Sequence, residues 1–411
     1  MPRLSAPSSS GVGIRSLFGS TGTSDTDACL CRNEKSQTGE RDYRQCGCIF
    51  RIVQSEGRLK MSWKKKTRCL WLLDKLKREN TLTIEEYECL TSVKALELVY
   101  YAAEHAAEAR KKVYGNEVYI EGLIETGSSC LGDSCYCDIR RSNKNRERYG
   151  LTKEQILSCC DDGYKWGIRT FVLQSDDGMF SADEACDIVS DIRRSFPDCA
   201  VTLSLGEYIR SEYEQMYYAG ASRYSLHHMT ADKEHFERLH PRGMSFDSRM
   251  CCLRELKDIG FRIGCGFVVG SPYQTPHMLA KELKFIEELQ PDMCDIIPLV
   301  PHKDTPFSSF PSGSLLQTAY LLSLVRLIKP NLLLPSAAIL GGIAEDGRER
   351  SIKAGANAVT VDLSPMPVCD KYSLHDCKTD GGEIKQELEQ LRTLIERLGY
   401  RAVFDGGEVK R

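Results

Sequence analysis

Apolar residues from residue 115 onward follow two alternating patterns. Short apolar, β-branched runs typical of buried parallel strands alternate with polar stretches in which apolar residues recur at helical spacing. The predicted strands are 118–125, 170–175, 200–205, 223–228, 262–270, 294–300, 332–340 and 358–363. The predicted helices lie near 152–166, 181–195, 208–219, 231–239, 247–259, 275–289, 314–328 and 345–354, with a further one from 384. Eight such units predict an α/β fold, a (β/α)8 TIM-type barrel, although a doubly wound open sheet gives a similar alternation with fewer strands.

Helical spacing also marks the segment that precedes the first strand. Within it, Thr83 is followed three residues later by Glu86, the spacing of a capping box. We therefore expect three parts: a disordered or transit-like extension at 1–60, an N-terminal helical segment at 61–114, and the barrel with its C-terminal helix at 115–411.

Charge and hydropathy argue against a nucleic-acid partner and against a membrane span. The 411 residues carry 55 basic and 58 acidic side chains and a net charge of −3, so the charge balance indicates no nucleic-acid partner. The chain contains no apolar run of about 18 residues, which excludes a membrane span. Polar side chains that follow several strands would form a ring at one end of the barrel, which suits a small-molecule pocket.

The first 60 residues differ from the rest of the chain. They are rich in Ser and Gly, carry Arg3 and Arg15, and contain no acidic residue before Asp25. This composition cannot build a core and partly resembles an organellar transit peptide, although translation from Met61 is an alternative. We expect a cytoplasmic protein, or one in the matrix of a hydrogenosome, mitochondrion or plastid if the segment is a real transit peptide. The 19 cysteines are interpreted as reduced thiols.

A cysteine-rich loop directly follows the first predicted strand. Cys130, Cys135 and Cys137 lie within eight residues. Three thiolates on one loop can ligate three irons of a 4Fe–4S cluster and leave the fourth iron open. In barrels, chemistry gathers at the carboxyl ends of the strands, where this loop would lie.

The loop resembles that of the radical S-adenosylmethionine (SAM) enzymes, whose pattern is C-x3-C-x2-C with an aromatic residue before the last cysteine. Cys130, Tyr136 and Cys137 match it, whereas Ser134 occupies the middle position. Beyond this loop, the chain resembles the HydE family of FeFe-hydrogenase maturases, with biotin synthase and methylornithine synthase as similar relatives. The stretches that carry the resemblance include TLTIEEYE (81–88), GNEVYIEGLIE (115–125), VTLSLGE (201–207), GMSFDSR (243–249) and PHKDTPF (301–307).

The resemblance implies a barrel with a 4Fe–4S cluster and SAM as cofactors, and a 5′-deoxyadenosyl radical as the reactive species. The substrate would be a small molecule or an iron–cysteine precursor supplied by another hydrogenase maturase. On this basis Cys130, Cys137 and Cys135 are the expected cluster ligands; no catalytic residue is assigned. The expected SAM contacts are Tyr136, Ser175, Glu207 and His227, and the expected substrate contacts are His302 and Thr305.

Several departures from the family pattern fall on the predicted site. Besides Ser134, His227 stands where an arginine is expected to pair with the SAM carboxylate, and an imidazole does not replace a bidentate guanidinium without loss. Other departures are Asp176 for a glycine, Met229 for an acid, Tyr273 for a glycine, and Ala337 and Ala338 for two threonines. These changes leave two alternatives to a HydE-like enzyme: a degenerate, non-catalytic barrel that binds a maturation intermediate or partner, and a radical SAM enzyme with another small-molecule substrate.

Overall fold

A computed structural model describes residues 62–365, except 94, 176 and 242, and residues 381–405. The predicted extension at 1–60 and the departure from the family pattern at Asp176 therefore lie outside the described residues. None of the helices within these described ranges is both long enough and apolar enough to cross a bilayer.

Three helices precede the barrel: α1 (Trp63–Glu79), α2 (Ile84–Thr91) and α3 (Leu96–Tyr114). Both hydrogen bonds of the predicted capping box form at α2, where Thr83 accepts from the Glu86 N–H and Glu86 accepts from the Thr83 N–H. The capping box satisfies two backbone donors that a helix start would otherwise leave without partners.

All eight predicted strands are present, and they pair in parallel. They are β1 (Glu117–Glu125), β2 (Thr170–Gln174), β3 (Ala200–Ser204), β4 (Arg223–Ser225), β5 (Arg262–Val269), β6 (Met293–Pro298), β7 (Pro335–Ser336) and β8 (Ala358–Asp362). Their order in the sheet is β6-β5-β4-β3-β2-β1-β8-β7. A parallel bridge between Met293 and Leu333 joins the two ends of this order, and the Cys294 N–H donates to the Leu333 carbonyl at 3.2 Å. The strands therefore form a nearly closed barrel rather than an open sheet.

Helices surround the strands as the sequence predicts. They are α4 (Lys153–Lys165), α5 (Ala182–Ser195), α6 (Arg210–Ala219), α7 (Lys233–Leu239), α8 (Phe246–Ile259), α9 (Pro276–Leu289), α10 (Leu315–Ile328), α11 (Ile339–Ile343), α12 (Gly347–Lys353) and α13 (Gly381–Arg397). Apolar side chains from the strands and from the inner faces of these helices form one large core. Burial of this apolar surface is the main force that holds the helices on the barrel.

Two local features differ from the predicted elements. The run 332–340 yields only the two-residue strand β7, because Pro335 has no N–H to donate and the chain turns into α11 by residue 339. A short strand β9 (Arg401–Val403) was not predicted; it pairs in parallel with the start of β1, outside the barrel order. A three-residue strand after a helix carries too short a pattern to recognise from sequence.

A fully buried ion pair lies outside the strands. His228 Nε2 lies 2.9 Å from Glu282 Oε2, and the other oxygen of Glu282 accepts from the Ala231 N–H at 2.6 Å. Burial opposes protonation of His228, but the neighbouring Cys265 and Glu282 outweigh it and raise the histidine pKa to about 9. The loop after β4 is thus tied to α9 by charge as well as by packing.

We expect Glu282→Gln to lower the free energy of unfolding by about 3 kcal/mol at pH 6.5, because one partner of a buried pair is lost. A raised histidine pKa stabilises the fold below the unfolded value of about 6.5, and this contribution is lost as the pH rises through 9. The deficit of the variant should therefore shrink toward pH 9. Urea titrations at both pH values measure it, with Glu288→Gln, an exposed residue of the same helix, as the control. An equal loss in both variants would show that the buried pair contributes no specific stability.

Candidate active site

A cavity of about 170 Å³ opens at the carboxyl ends of the first strands. The residues that line it include Glu125 at the end of β1, Gln174 and Ser175 at the end of β2, Gly206 after β3, and His227 after β4. The cysteine-rich loop and side chains of the segment from 240 to 249 complete the wall. The predicted polar ring at the carboxyl end of the barrel is thus a real pocket.

Backbone and side-chain bonds hold the cysteine-rich loop in one shape. Arg140 Nε donates to Asp133 Oδ1 at 2.6 Å, and Ser142 donates to the same carboxylate from its backbone and its hydroxyl. The hydrogen bond from Arg140 lowers the Asp133 pKa far below its ordinary value. Arg148 donates to four backbone carbonyls of the loop, including those of Ser128 and Ile139. These two arginines therefore hold the loop in its shape.

The loop presents two of its three thiols to the cavity. Cys130 and Cys137 line the wall, and Ser134 lies between them in sequence and lines it too. The Gly132 N–H donates to Cys130 Sγ at 3.2 Å. Cys135 is not among the described residues that line the cavity; its N–H donates to the Leu239 carbonyl at 2.9 Å, and burial raises its thiol pKa.

Tyr136 lines the cavity beside the thiols, and its hydroxyl is fixed by His240. The hydroxyl lies 2.9 Å from His240 Nε2, while His240 Nδ1 lies 2.9 Å from the Phe236 carbonyl. Burial lowers the His240 pKa to about 4, so the ring is neutral at pH 7. A neutral ring that donates from Nδ1 to the carbonyl can accept at Nε2 from the tyrosine hydroxyl. His240 therefore orients Tyr136, a role that the sequence did not reveal.

Among the described residues, Arg249 lines the cavity and Glu207 does not. Glu207 lies behind Arg249 and binds its guanidinium. Arg249 Nε donates to Glu207 Oε1 at 2.6 Å, and Arg249 also lies 3.5 Å from Asp177 Oδ2. Burial opposes the charge on Arg249, but Asp177 and Glu207 outweigh it and raise the guanidinium pKa. A third bond runs from Arg249 to the His227 carbonyl at 3.1 Å. Arg249 thus joins the loops after β2, β3 and β4 into one network.

Glycine is required where these loops meet. Gly206 has a φ of +90°, and an added Cβ would collide with the Asp177 carboxylate. The Glu207 N–H donates to the same carboxylate at 3.2 Å. The close approach of the two loops, and with it the position of the Arg249 partners, depends on this glycine.

His227 lines the cavity with its ring directed toward the barrel interior. Its Nε2 lies 2.9 Å from Asp295 Oδ2 on β6. A Cβ at Gly266 would lie 2.6 Å from the His227 ring, so the glycine on β5 makes room for it. The imidazole that replaces the expected arginine therefore has a carboxylate partner.

The remaining predicted residues fall into two groups. Ser175 lines the cavity, and its N–H donates to the Ser204 carbonyl at 3.0 Å. His302 and Thr305 are not among the described residues that line the cavity. Thr305 is buried, and its hydroxyl donates to the His302 carbonyl at 2.7 Å. Their substrate role stays a prediction.

The donor set of the cavity includes two thiols from a single loop, with the Ser134 hydroxyl between them in sequence. Two thiols on one loop can each lose a proton and bind a different iron of an iron–sulfur cluster. In the described part of the chain, no three His, Cys, Asp or Glu side chains converge as a metal site.

A parallel barrel that carries a cysteine-rich loop at the carboxyl end of its first strand agrees with the radical SAM class. The family model described as the radical SAM superfamily matches residues 124–286. Members of this superfamily use a 4Fe–4S cluster and SAM. The match begins at the end of β1 and contains the whole cavity loop.

Comparison with individual proteins identifies the family within this superfamily. The chain is 37% identical to the [FeFe] hydrogenase maturase subunit HydE of Thermotoga maritima over 308 residues, which cover 74% of this chain and 88% of that protein. It is 26% identical to the 3-methylornithine synthase of Methanosarcina acetivorans, over 75% of this chain and 85% of that protein. The chain belongs to the HydE family of the radical SAM superfamily.

Solved structures agree on the fold. Methylornithine synthase (PylB) superposes with a TM-score of 0.70 at 23% identity, covering 81% of this chain and 97% of that chain. The maturase HydG superposes with a TM-score of 0.68 at 20% identity, covering 83% of this chain and 78% of that chain. The predicted radical SAM barrel is confirmed.

Proposed function

We propose that this chain is a HydE-type radical SAM enzyme of [FeFe]-hydrogenase maturation. Its substrate would be a small molecule or an iron–cysteine precursor, and it would act alongside other hydrogenase maturases. The observation that carries the proposal is the 37% identity to HydE across 88% of that protein, in a chain whose cavity presents Cys130 and Cys137.

The cavity residues would divide the work as follows. Cys130 and Cys137 would hold the cluster, which together with SAM supplies a 5′-deoxyadenosyl radical when bound and reduced. Tyr136, fixed by His240, would pack against the adenine of SAM. The surrounding barrel would keep bulk water away from the radical.

The charged side chains that would contact the SAM carboxylate differ from those of the family pattern. His227 and Arg249 line the cavity, and the guanidinium of Arg249 stays charged at any physiological pH. Glu207 accepts a hydrogen bond from Arg249, so Glu207 would act by holding this guanidinium in place. Ser175 offers a hydroxyl on the same wall.

Substitutions at the barrel mouth favour a second candidate, a radical SAM enzyme with another small-molecule substrate. Met229 lines the cavity with a φ of +64°, a conformation that non-glycine residues rarely adopt and that marks functional sites. The hydroxyls expected at Ala337 and Ala338 are missing. A binding barrel without radical chemistry is the other alternative.

One experiment separates these functions. Anaerobically reconstituted, dithionite-reduced protein is incubated with SAM, and 5′-deoxyadenosine is measured. The protein then replaces HydE in a cell-free hydrogenase maturation assay. Formation of 5′-deoxyadenosine together with active hydrogenase supports the proposal. Formation of 5′-deoxyadenosine alone favours another substrate, and absence of both favours the binding barrel.

A further inference from the structure

Resting on the proposed cluster, we propose that the Ser134 oxygen, not the Cys135 thiolate, is the third protein ligand of the iron–sulfur site. The site would then carry two thiolates and one alkoxide. This assignment departs from the three-thiolate pattern of the superfamily and from the loop slip that would bring Cys135 into place.

Side-chain direction along the loop supports this assignment. Cys130, Ser134 and Cys137 line one cavity, whereas Cys135 is not among its described lining residues. The Cys137 N–H donates to the Ser134 carbonyl at 3.4 Å, and the Cys135 N–H donates to the Leu239 carbonyl at 2.9 Å. A one-residue slip of the loop that put Cys135 in the place of Ser134 would have to break the second of these backbone bonds.

The surroundings of Ser134 suit an anionic oxygen. Its Oγ lies 3.9 Å from Met244 Sδ, a weak acceptor, and Ser134 also forms a side-chain hydrogen bond with Tyr136 beside it. Arg140 lines the same cavity, and its charge favours anions there. The Asp133 carboxylate fixes Arg140 through Nε, so the guanidinium is held close to the loop.

Ligation needs no oxidant or reductant. The Ser134 O–H bond would break, its proton would leave to solvent, and the oxygen would bind a third iron of the cluster with no change of iron oxidation state. Oxygen is a harder ligand than sulfur and stabilises the more oxidised iron. The wild-type cluster should therefore have a more negative reduction potential than a Ser134→Cys variant with three thiolates.

The test compares Ser134→Ala, Ser134→Cys and Cys135→Ala with the wild type after anaerobic reconstitution with iron and sulfide. Iron and sulfide per chain are counted, and the reduction potential is measured by EPR-monitored titration. We expect about four irons per chain in the wild type, Cys135→Ala and Ser134→Cys. Ser134→Ala should lose iron at least threefold, and Ser134→Cys should show the raised potential.

Three results would overturn the assignment. Loss of iron in Cys135→Ala with full retention in Ser134→Ala would make Cys135 the ligand. Full retention in both would leave a site with two protein ligands. A cluster that forms only in Ser134→Cys would show that the serine does not ligate.

The measurements that identify the cluster ligand do not depend on the proposed function. The iron count and the potential do not depend on hydrogenase maturation, so the maturation assay can fail while the ligand pattern holds. Circular dichroism checks that each variant is folded. If Ser134→Ala does not fold, the potentials of wild type and Ser134→Cys decide: equal potentials would overturn the assignment.

Discussion

Replacing Cys137 with alanine is expected to remove the cluster and with it all detectable SAM cleavage. Cys137 lines the cavity directly after Tyr136, and its thiolate would bind one iron. With that thiolate gone, the loop offers one thiolate and one serine oxygen, too few ligands to retain a 4Fe–4S cluster. We expect iron per chain to fall at least fivefold after anaerobic reconstitution, and 5′-deoxyadenosine to fall below detection. Iron analysis, absorbance near 400 nm and chromatography of the SAM products measure both changes.

Cys251→Ala is the matched control, because this cysteine is exposed on α8 and does not line the cavity in the described structure. It should keep the wild-type iron content and activity. Equal iron in Cys137→Ala and wild type would contradict the site. Loss of iron in both variants would point to a general effect of cysteine removal on folding rather than to ligation.

Arg249→Leu is expected to weaken SAM binding by about 2 kcal/mol, roughly thirtyfold, because Asp177 in the cavity wall and Glu207 behind it then lose their cation. Glu207 and Asp177 lie 2.6 and 3.5 Å from the guanidinium. Both would repel the carboxylate of SAM, and the loops after β2 and β3 would lose the group that joins them. The change should appear as a raised KM for SAM in the cleavage assay. Equilibrium dialysis of SAM on the reconstituted protein measures the same loss without turnover.

Arg254→Leu removes the same charge from an exposed position of the same helix and should leave the KM unchanged. The double variant Arg249→Leu/Glu207→Gln tests whether the unpaired Glu207 carboxylate causes the loss of SAM affinity. Neutralising the unpaired Glu207 carboxylate should recover part of the lost affinity. A double variant weaker than Arg249→Leu would show that Glu207 contacts SAM directly, as the family resemblance implied, and not through Arg249.

The secondary structure was largely predictable because its signals are local. Periodicity placed all eight barrel strands, and the Thr83–Glu86 spacing located the start of α2 correctly. Prediction was wrong where local signals were short or mixed. The run 332–340 forms the short strand β7 and then α11, and β9 was not recognised. Barrel closure rests on a bridge between Met293 and Leu333, residues 40 apart, which periodicity does not encode.

The candidate site was predictable in its location and only partly in its residues. The cysteine-rich loop, Tyr136, Ser175 and His227 do meet in one cavity. Residues that act through a partner were missed, because an ion pair between distant segments leaves no pattern in sequence. His240 behind Tyr136 and Arg249 between Asp177 and Glu207 are the main examples.

The sequence by itself determined the element types, the barrel class, the family and the loop that carries the thiols. These follow from periodicity and from motifs whose residues are neighbours in the chain. Only the tertiary structure decided which side chains of that loop face the cavity and which carboxylates Arg249 balances. Direction and pairing depend on contacts between loops after different strands: the Cys135 N–H bonds Leu239, and Glu207 bonds Arg249. Such contacts exist only once the barrel brings the ends of its strands together.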